Sequence, residues 1–100
     1  MKNLNQIKDN TKEALVILQE ECAEVVQEVS KCFRFGLDSQ HYKTGLKHNK
    51  MLETEVGDVL ALVDILVEQG VLNKDSLEAA KLAKKEKLKL WSSIYENQSK

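Results

Sequence analysis

The sequence predicts an all-α fold, a helical bundle of about three main helices completed by oligomerisation. Three observations carry that expectation. The 100 residues contain no proline and only four glycines, so the punctuation of a turn-rich β protein is missing and long segments run uninterrupted. Apolar residues recur in alternating steps of three and four, the period of a helix face. At 42% apolar and 31% charged residues, the composition is that of a soluble globular domain and excludes disordered or fibrous chains. A chain of this length buries about two-thirds of its unfolded surface, so self-association is the expected source of further core. Residues 1–100 read as a single domain with its core at about 10–96, without internal repeat or low-complexity tract.

The first helix is expected from about Asn10 to Phe35. Leu15, Leu18, Cys22, Val25, Val29 and Cys32 form its apolar stripe. Asn10 with Glu13 makes a variant capping box, and Gly36 is placed to take the left-handed conformation that ends a helix. Cys22 and Cys32 are separated along this helix by about 15 Å, beyond the limit of about 7 Å for the Cα atoms of a disulfide. Both read as small buried apolar residues in a reducing compartment, and without a second Cys or His pair they do not make a zinc site. Gly36 to His48 has no period; it is the one sizeable loop and the expected mobile element.

Asn49 is expected to cap the second helix, in which Leu52, Val56, Val59, Leu60, Val63, Leu66 and Val67 keep helical spacing until Gly70 ends it. The β-branched run from Val59 to Val67 resembles a buried strand in composition, but its continuity with the periodic segment before it decides for helix. Apolar side chains surround this half of the helix except at Asp64, which predicts burial on several sides. Together with Ala14 to Leu18 this surface exceeds what three short helices cover, so a homodimer or homotetramer is expected. Asn73 caps a third, highly charged helix through Leu77, Ala80, Leu88, Trp91 and Tyr95, and the last few residues are expected to fray.

Fifteen Lys and Arg against sixteen Asp and Glu give a net charge of −1, which argues against a nucleic acid partner. No apolar run approaches the roughly 20 residues that span a bilayer, and Met1 to Gln6 has no hydrophobic signal segment behind it. A cytoplasmic protein with no membrane partner is the expectation. The charge is nonetheless segregated, with Glu13, Glu20, Glu21, Glu24 and Glu28 early in the chain and Lys81, Lys84, Lys85, Lys87 and Lys89 late.

On the first helix Glu21, Glu24, Glu28 and Lys31 form a second stripe rotated by about 100° from the apolar one, so that it flanks the core. On the second, Glu55 and Asp58 stand three apart, just before the most hydrophobic stretch. Carboxylates at this spacing are neighbours that can hold one hard cation from the same side, and oxygen donors suit Mg²⁺ or Mn²⁺ better than zinc or copper. If the two helices pack antiparallel, Glu21-Cys22-Ala23-Glu24 and Glu55-Val56-Gly57-Asp58 converge, with Gly57 permitting close approach. The plain alternative is a solvated acidic face.

The segments Leu18-Gln19-Glu20-Glu21-Cys22-Ala23-Glu24-Val25 and Leu52-Glu53-Thr54-Glu55-Val56-Gly57-Asp58-Val59-Leu60 together resemble the signature of MazG-like nucleoside triphosphate pyrophosphohydrolases, of the all-α NTP pyrophosphatase superfamily. The resemblance covers roughly Leu15 to Trp91. It implies an oligomeric helical domain that binds Mg²⁺ and cleaves nucleoside triphosphates to monophosphate and pyrophosphate, with Glu21, Glu24, Glu55 and Asp58 as metal ligands. The basic part of the family pattern falls on Lys84 or Lys87. The stretch between the motifs is long for compact members, implying an enlarged Gly36 to His48 loop.

The chemistry agrees with this resemblance, because a triphosphate repels nucleophiles until cations bridging its oxygens neutralise it and orient a water. Glu20 or Glu21 is the candidate proton acceptor. Lys31 reads either as a phosphate contact or as a helix ion pair with Glu28 or Gln27. His41 and Tyr42 are candidate base-binding residues, with Phe33 and Phe35 beside them; the plainer reading makes His41 and His48 solvated loop residues and Phe33 core. Trp91 reads as packing. Asp64 points about 120° away from Asp58, which disfavours it as a further ligand. Two other readings stand: a non-catalytic helical interaction module of the same fold, against which the retained four carboxylates speak, and a phosphoribosyl-ATP pyrophosphatase.

Overall fold

The computed structural model of the chain describes residues 7–96; Met1 to Gln6 and the residues expected to fray, 97–100, lie outside it. Within these bounds there are three helices, α1 (Asp9–Phe35), α2 (His48–Glu68) and α3 (Lys74–Trp91). The all-α expectation holds.

The helix ends show which local forces prevailed. Lys8, in extended conformation, is the N-cap of α1 and contributes no side-chain bond; its carbonyl accepts the amides of Thr11 and Lys12 at 3.1 and 2.9 Å. Asn10 lies inside the first turn, so the expected Asn10–Glu13 capping box does not form, and Asp9 supplies the negative charge that the helix N-terminus favours. At the other end the Gly36 amide donates to the Cys32 carbonyl at 2.8 Å. Its φ of 94° is positive but its ψ of 151° is extended, so the chain leaves α1 without the left-handed helical cap expected there.

Leu37 to Lys47 folds back on itself. Gln40 and Lys47 form an isolated antiparallel bridge, and the His41 amide donates to Leu46 at 2.8 Å. The returning chain then starts α2 two residues early, with Lys47 in place of Asn49 as N-cap. The carbonyls of Ser39 and Leu37 accept the amides of His48 and Asn49 at 3.1 and 3.0 Å, filling the role expected of an Asn49 side chain. Asn49 is therefore inside the helix, and Lys47 is its N-cap without a side-chain bond.

The end of α2 is a Schellman turn: Gly70, at φ 77°, donates to Val67 at 3.0 Å while Val71 donates to Leu66 at 2.9 Å. Asn73 caps α3 as expected, accepting the Ser76 amide at 2.9 Å. The Ser92 hydroxyl and amide both donate to the Leu88 carbonyl, ending α3 at Trp91 and leaving Tyr95 beyond it.

Helices α1 and α2 pack as an antiparallel hairpin. A 3.0 Å hydrogen bond from Thr11 to Gln69 ties one end; at the other, the Cys32 thiol lies 3.9 Å from the His48 carbonyl. Ala14, Leu62 and Leu66 form the buried core, with Ile17, Leu18 and Leu72 against it. On α1 the contact seam is Thr11, Ala14, Leu18, Glu21, Val25, Glu28 and Cys32, rotated from the stripe expected through Leu15, Cys22 and Val29. The acidic residues therefore lie on the seam's edge and partly within it: Glu28 is buried and Glu21 half-buried. The opposite edge stays open, so Cys22 is exposed, and only Cys32 is partly covered. Gly57 has nothing within 4 Å of where a Cβ would stand, which removes the close-approach role expected for it.

α3 stands off this hairpin. It has no buried residue, and the radius of gyration is 17.4 Å against about 13 Å for a compact chain of this size. Two expectations of burial fail for the same reason. Phe33 is 87% and Trp91 82% exposed, and in the apolar half of α2 only Leu62 and Leu66 are buried while Leu60 is 57% exposed. A single copy has one helix seam, and one seam covers one face of each helix.

Candidate active site

The antiparallel hairpin brings the two acidic motifs to the same level. One carboxylate oxygen each from Glu21, Glu55 and Asp58 lies within 4.8 Å of the others. Glu21 comes from the middle of α1, and the other two come from successive turns of α2. Glu24, one turn further along α1, is exposed and stands outside this group of three, although its charge still acts on Glu21 and Glu55.

The electrostatics are those of crowded like charges. Partial burial pushes the Glu21 carboxyl above the ordinary range, and the charges of Asp58, Glu55 and Glu24 push it further. Burial likewise raises Glu55, with Glu24, Asp58 and Glu28 adding to the effect and Lys31 opposing it. An all-oxygen donor set, held by two backbones and short of positive charge, fits a hard divalent cation; it lacks the nitrogen or sulfur that zinc and copper prefer.

Beyond the group the same stripe of α1 continues through Glu28, Lys31 and Phe35, in steps of three and four. Glu28 is 6% exposed; one of its oxygens is 3.4 Å from Lys31 and the other is buried without a hydrogen-bond partner. The ion-pair reading of Lys31 is thus realised with Glu28, not Gln27. Lys31 also lines a cavity of about 470 Å³ between the end of α1, the loop and the start of α2, with Arg34, Phe35, His41, Tyr42 and His48.

His48 departs furthest from its expected place. It is 2% exposed, not a solvated loop residue, because the loop folds back and makes it the first residue of α2. Its ring stacks on Phe35 at 5.3 Å, and its Nδ1 is buried without a partner. His41 is half-buried, stacked on Tyr42 at 5.0 Å, and its Nδ1 accepts the Lys43 amide at 3.1 Å.

The remaining candidates lie apart. Glu20 is exposed and gives no oxygen to the carboxylate group. Lys84 lines an open groove between α2 and α3 with Leu60, Val63, Asp64, Val67 and Leu77, which also places Asp64 away from the carboxylates. Lys87 is exposed on α3. Sequence reasoning placed Glu28 on the acidic stripe without foreseeing its burial, and it passed over Arg34 and the buried state of His48. Continuation of the acidic stripe in steps of three and four was the available signal for Glu28; nothing local signalled the other two, which depend on the loop's return.

The family model for the MazG nucleotide pyrophosphohydrolase domain matches residues 9–89, a span that includes both acidic motifs and all three helices. No curated protein and no solved structure matches the chain.

Proposed function

The chain belongs to the MazG nucleotide pyrophosphohydrolase domain family, and from that premise we propose that it hydrolyses ribo- or deoxyribonucleoside triphosphates to monophosphate and pyrophosphate with Mg²⁺ or Mn²⁺. The observation that carries this reading is the convergence of Glu21, Glu55 and Asp58 from two antiparallel helices. These three, with Glu24 at the rim, would hold the metal. When bound, the cation neutralises phosphate charge and acidifies water, the chemistry that phosphoryl transfer requires.

The chain's own residues supply the rest. Water attacks the α-phosphorus, the bond to the bridging oxygen of the β-phosphate breaks, and pyrophosphate leaves while the water's proton passes to a carboxylate. Between Glu20 and Glu21, only Glu21 sits in the carboxylate group, which makes it the better-placed acceptor. Lys31, on the same stripe and paired with Glu28 at 3.4 Å, would turn its ammonium from that carboxylate toward phosphate when substrate binds.

The same reading makes the protein a homo-oligomer, a dimer or a dimer of dimers. Supporting it are the acidic edge and apolar edge on opposite sides of one hairpin, with Leu60, Val56, Val26 and Phe33 exposed, and an α3 that has no buried residue. A second copy packed there would cover these faces and leave the carboxylates open. It would also bring a neighbouring α3, with Lys84 or Lys87, within the assembly.

The test is a panel of ribo- and deoxyribonucleoside triphosphates and phosphoribosyl-ATP, each with Mg²⁺, Mn²⁺ or chelator, read by pyrophosphate release. Metal-dependent release from nucleoside triphosphates supports the proposal. Release from phosphoribosyl-ATP alone would reassign the substrate, and no release from any would leave a binding module.

A further inference from the structure

Two carboxylates compete for the Lys31 ammonium. It lies 3.4 Å from one oxygen of Glu28, and its charge also acts on Glu55, where it opposes the burial and the neighbouring carboxylates that raise that carboxyl. The cavity that Lys31 lines with Arg34, His41 and His48 offers it no anion, because no carboxylate lines that space. One of the two competitors, Glu55, belongs to the group that would hold the metal.

The partners differ in freedom. Glu28 is 6% exposed, fixed in the α1–α2 seam, and its second oxygen is buried without a hydrogen-bond partner. A buried carboxylate so short of donors depends on the one cation beside it. Lys31, with 38% of its side chain exposed, is the partner that can move. The contact between them is also loose. At 3.4 Å it is longer than the 2.8 and 2.7 Å of the surface pairs Lys81–Glu78 and Lys89–Glu86, which have the length of strong charge-assisted bonds. An ammonium held this way is restrained, yet a stronger anion can take it.

We propose that Glu28 is a positioning residue that parks the Lys31 ammonium away from Glu55, keeping the carboxylate group open to a divalent cation until phosphate draws the ammonium across. A lysine on the same helix is an internal competitor for the metal's place, at an effective concentration that the chain fixes. Without the Glu28 charge, the crowded group becomes the main attraction within its reach. An ammonium settled on Glu55 would then neutralise part of the charge that a hard cation must find there. The inference deepens the proposed activity and rests on it for the role of the carboxylates.

Glu28 also acts on Glu55 through its own negative charge, which favours a cation whatever Lys31 does, and a double-mutant cycle separates the two effects. Mn²⁺ is titrated into the metal-free full chain without nucleotide and followed by electron paramagnetic resonance, in wild type, Glu28→Gln, Lys31→Met and the double variant. Glu28→Gln is expected to weaken Mn²⁺ binding about tenfold, and the added Lys31→Met to return it to within about twofold of wild type, a coupling of the size found inside one ion-pair network. Glu28→Met, neutral and of similar length, is expected to show the same loss and the same rescue. A merely structural role for Glu28 does not produce that rescue. Unchanged affinity in both Glu28 variants, or a loss that Lys31→Met does not relieve, would overturn the proposal; the second outcome makes Glu28 a ligand or a packing residue. Absence of Mn²⁺ binding in wild type would overturn the metal reading as well, so failure of the site and failure of the parking contact are read from different samples.

Discussion

Glu21 of α1 and Asp58 of α2 face each other across the helix seam, with carboxylate oxygens within 4.8 Å and Glu55 completing the group. Packing partly buries these carboxylates and holds their like charges together, and the cost of both, burial first, is visible in the raised proton affinity of Glu21 and Glu55. The fold thus stores a repulsion that a cation relieves, which gives the first two predictions.

Asp58→Asn and Glu55→Gln are expected to lower Mg²⁺ affinity at least tenfold and to abolish turnover, while the metal-free variants melt at or above the wild-type temperature because one repulsive charge is gone. Titration calorimetry and melting followed by circular dichroism check both halves. Wild-type metal affinity in either variant removes that residue from the ligand set.

Metal-free stability should fall as pH rises. Groups whose folded-state proton affinity exceeds the unfolded value leave the folded protein with more bound protons, so stability declines from the ordinary carboxylate range up through the raised one. Glu78, held low chiefly by its hydrogen bond to Lys81, acts in the opposite direction, so the decisive quantity is the difference between wild type and a Glu21→Gln, Glu55→Gln double variant. In chelator, wild type should lose melting temperature relative to the double variant between about pH 4 and 7, and Mg²⁺ should cancel the loss at neutral pH. A constant difference across that range contradicts the crowding.

Leu66 is 1% exposed in a core of few residues, and its backbone carbonyl also anchors the Schellman turn. Leu66→Ala should cost about 3 kcal/mol, seen as a lower urea midpoint. A change under about 1 kcal/mol would mean that the hairpin core is not where the fold's stability resides.

Light scattering at micromolar concentration should give at least twice the chain mass. Leu60→Glu, which places a charge on the open α2–α3 groove, should yield monomer. A wild-type monomer would show that α3 and the apolar edge remain uncovered.

Much of this architecture was legible in sequence. The steps of three and four gave the three helices, Asn73 announced its own cap, and the two carboxylate pairs announced a shared level. Asn10 and Asn49 misled because backbone groups took over their places: the Lys8 carbonyl accepts the first amides of α1, and Leu37 and Ser39 accept those of α2. The seam of α1 was read one position away because both edges of the acidic stripe's neighbour are apolar, and periodicity alone does not say which edge meets α2. Phe33 and Trp91 look like core residues and are exposed; hydrophobicity records that a side chain seeks cover, not that its own chain supplies it. His48 was misjudged because its burial depends on the return of Leu37 to Lys47, a long-range event with no local pattern.

The central claim is that the paired carboxylates serve cleavage between the α- and β-phosphates, and phosphorus NMR of the products tests it most directly. One nucleoside triphosphate incubated with the protein and Mg²⁺ is expected to give monophosphate and pyrophosphate in equal amounts, with no orthophosphate, and neither product in chelator or with Asp58→Asn. Diphosphate with orthophosphate, or products undiminished in Asp58→Asn, would contradict the account.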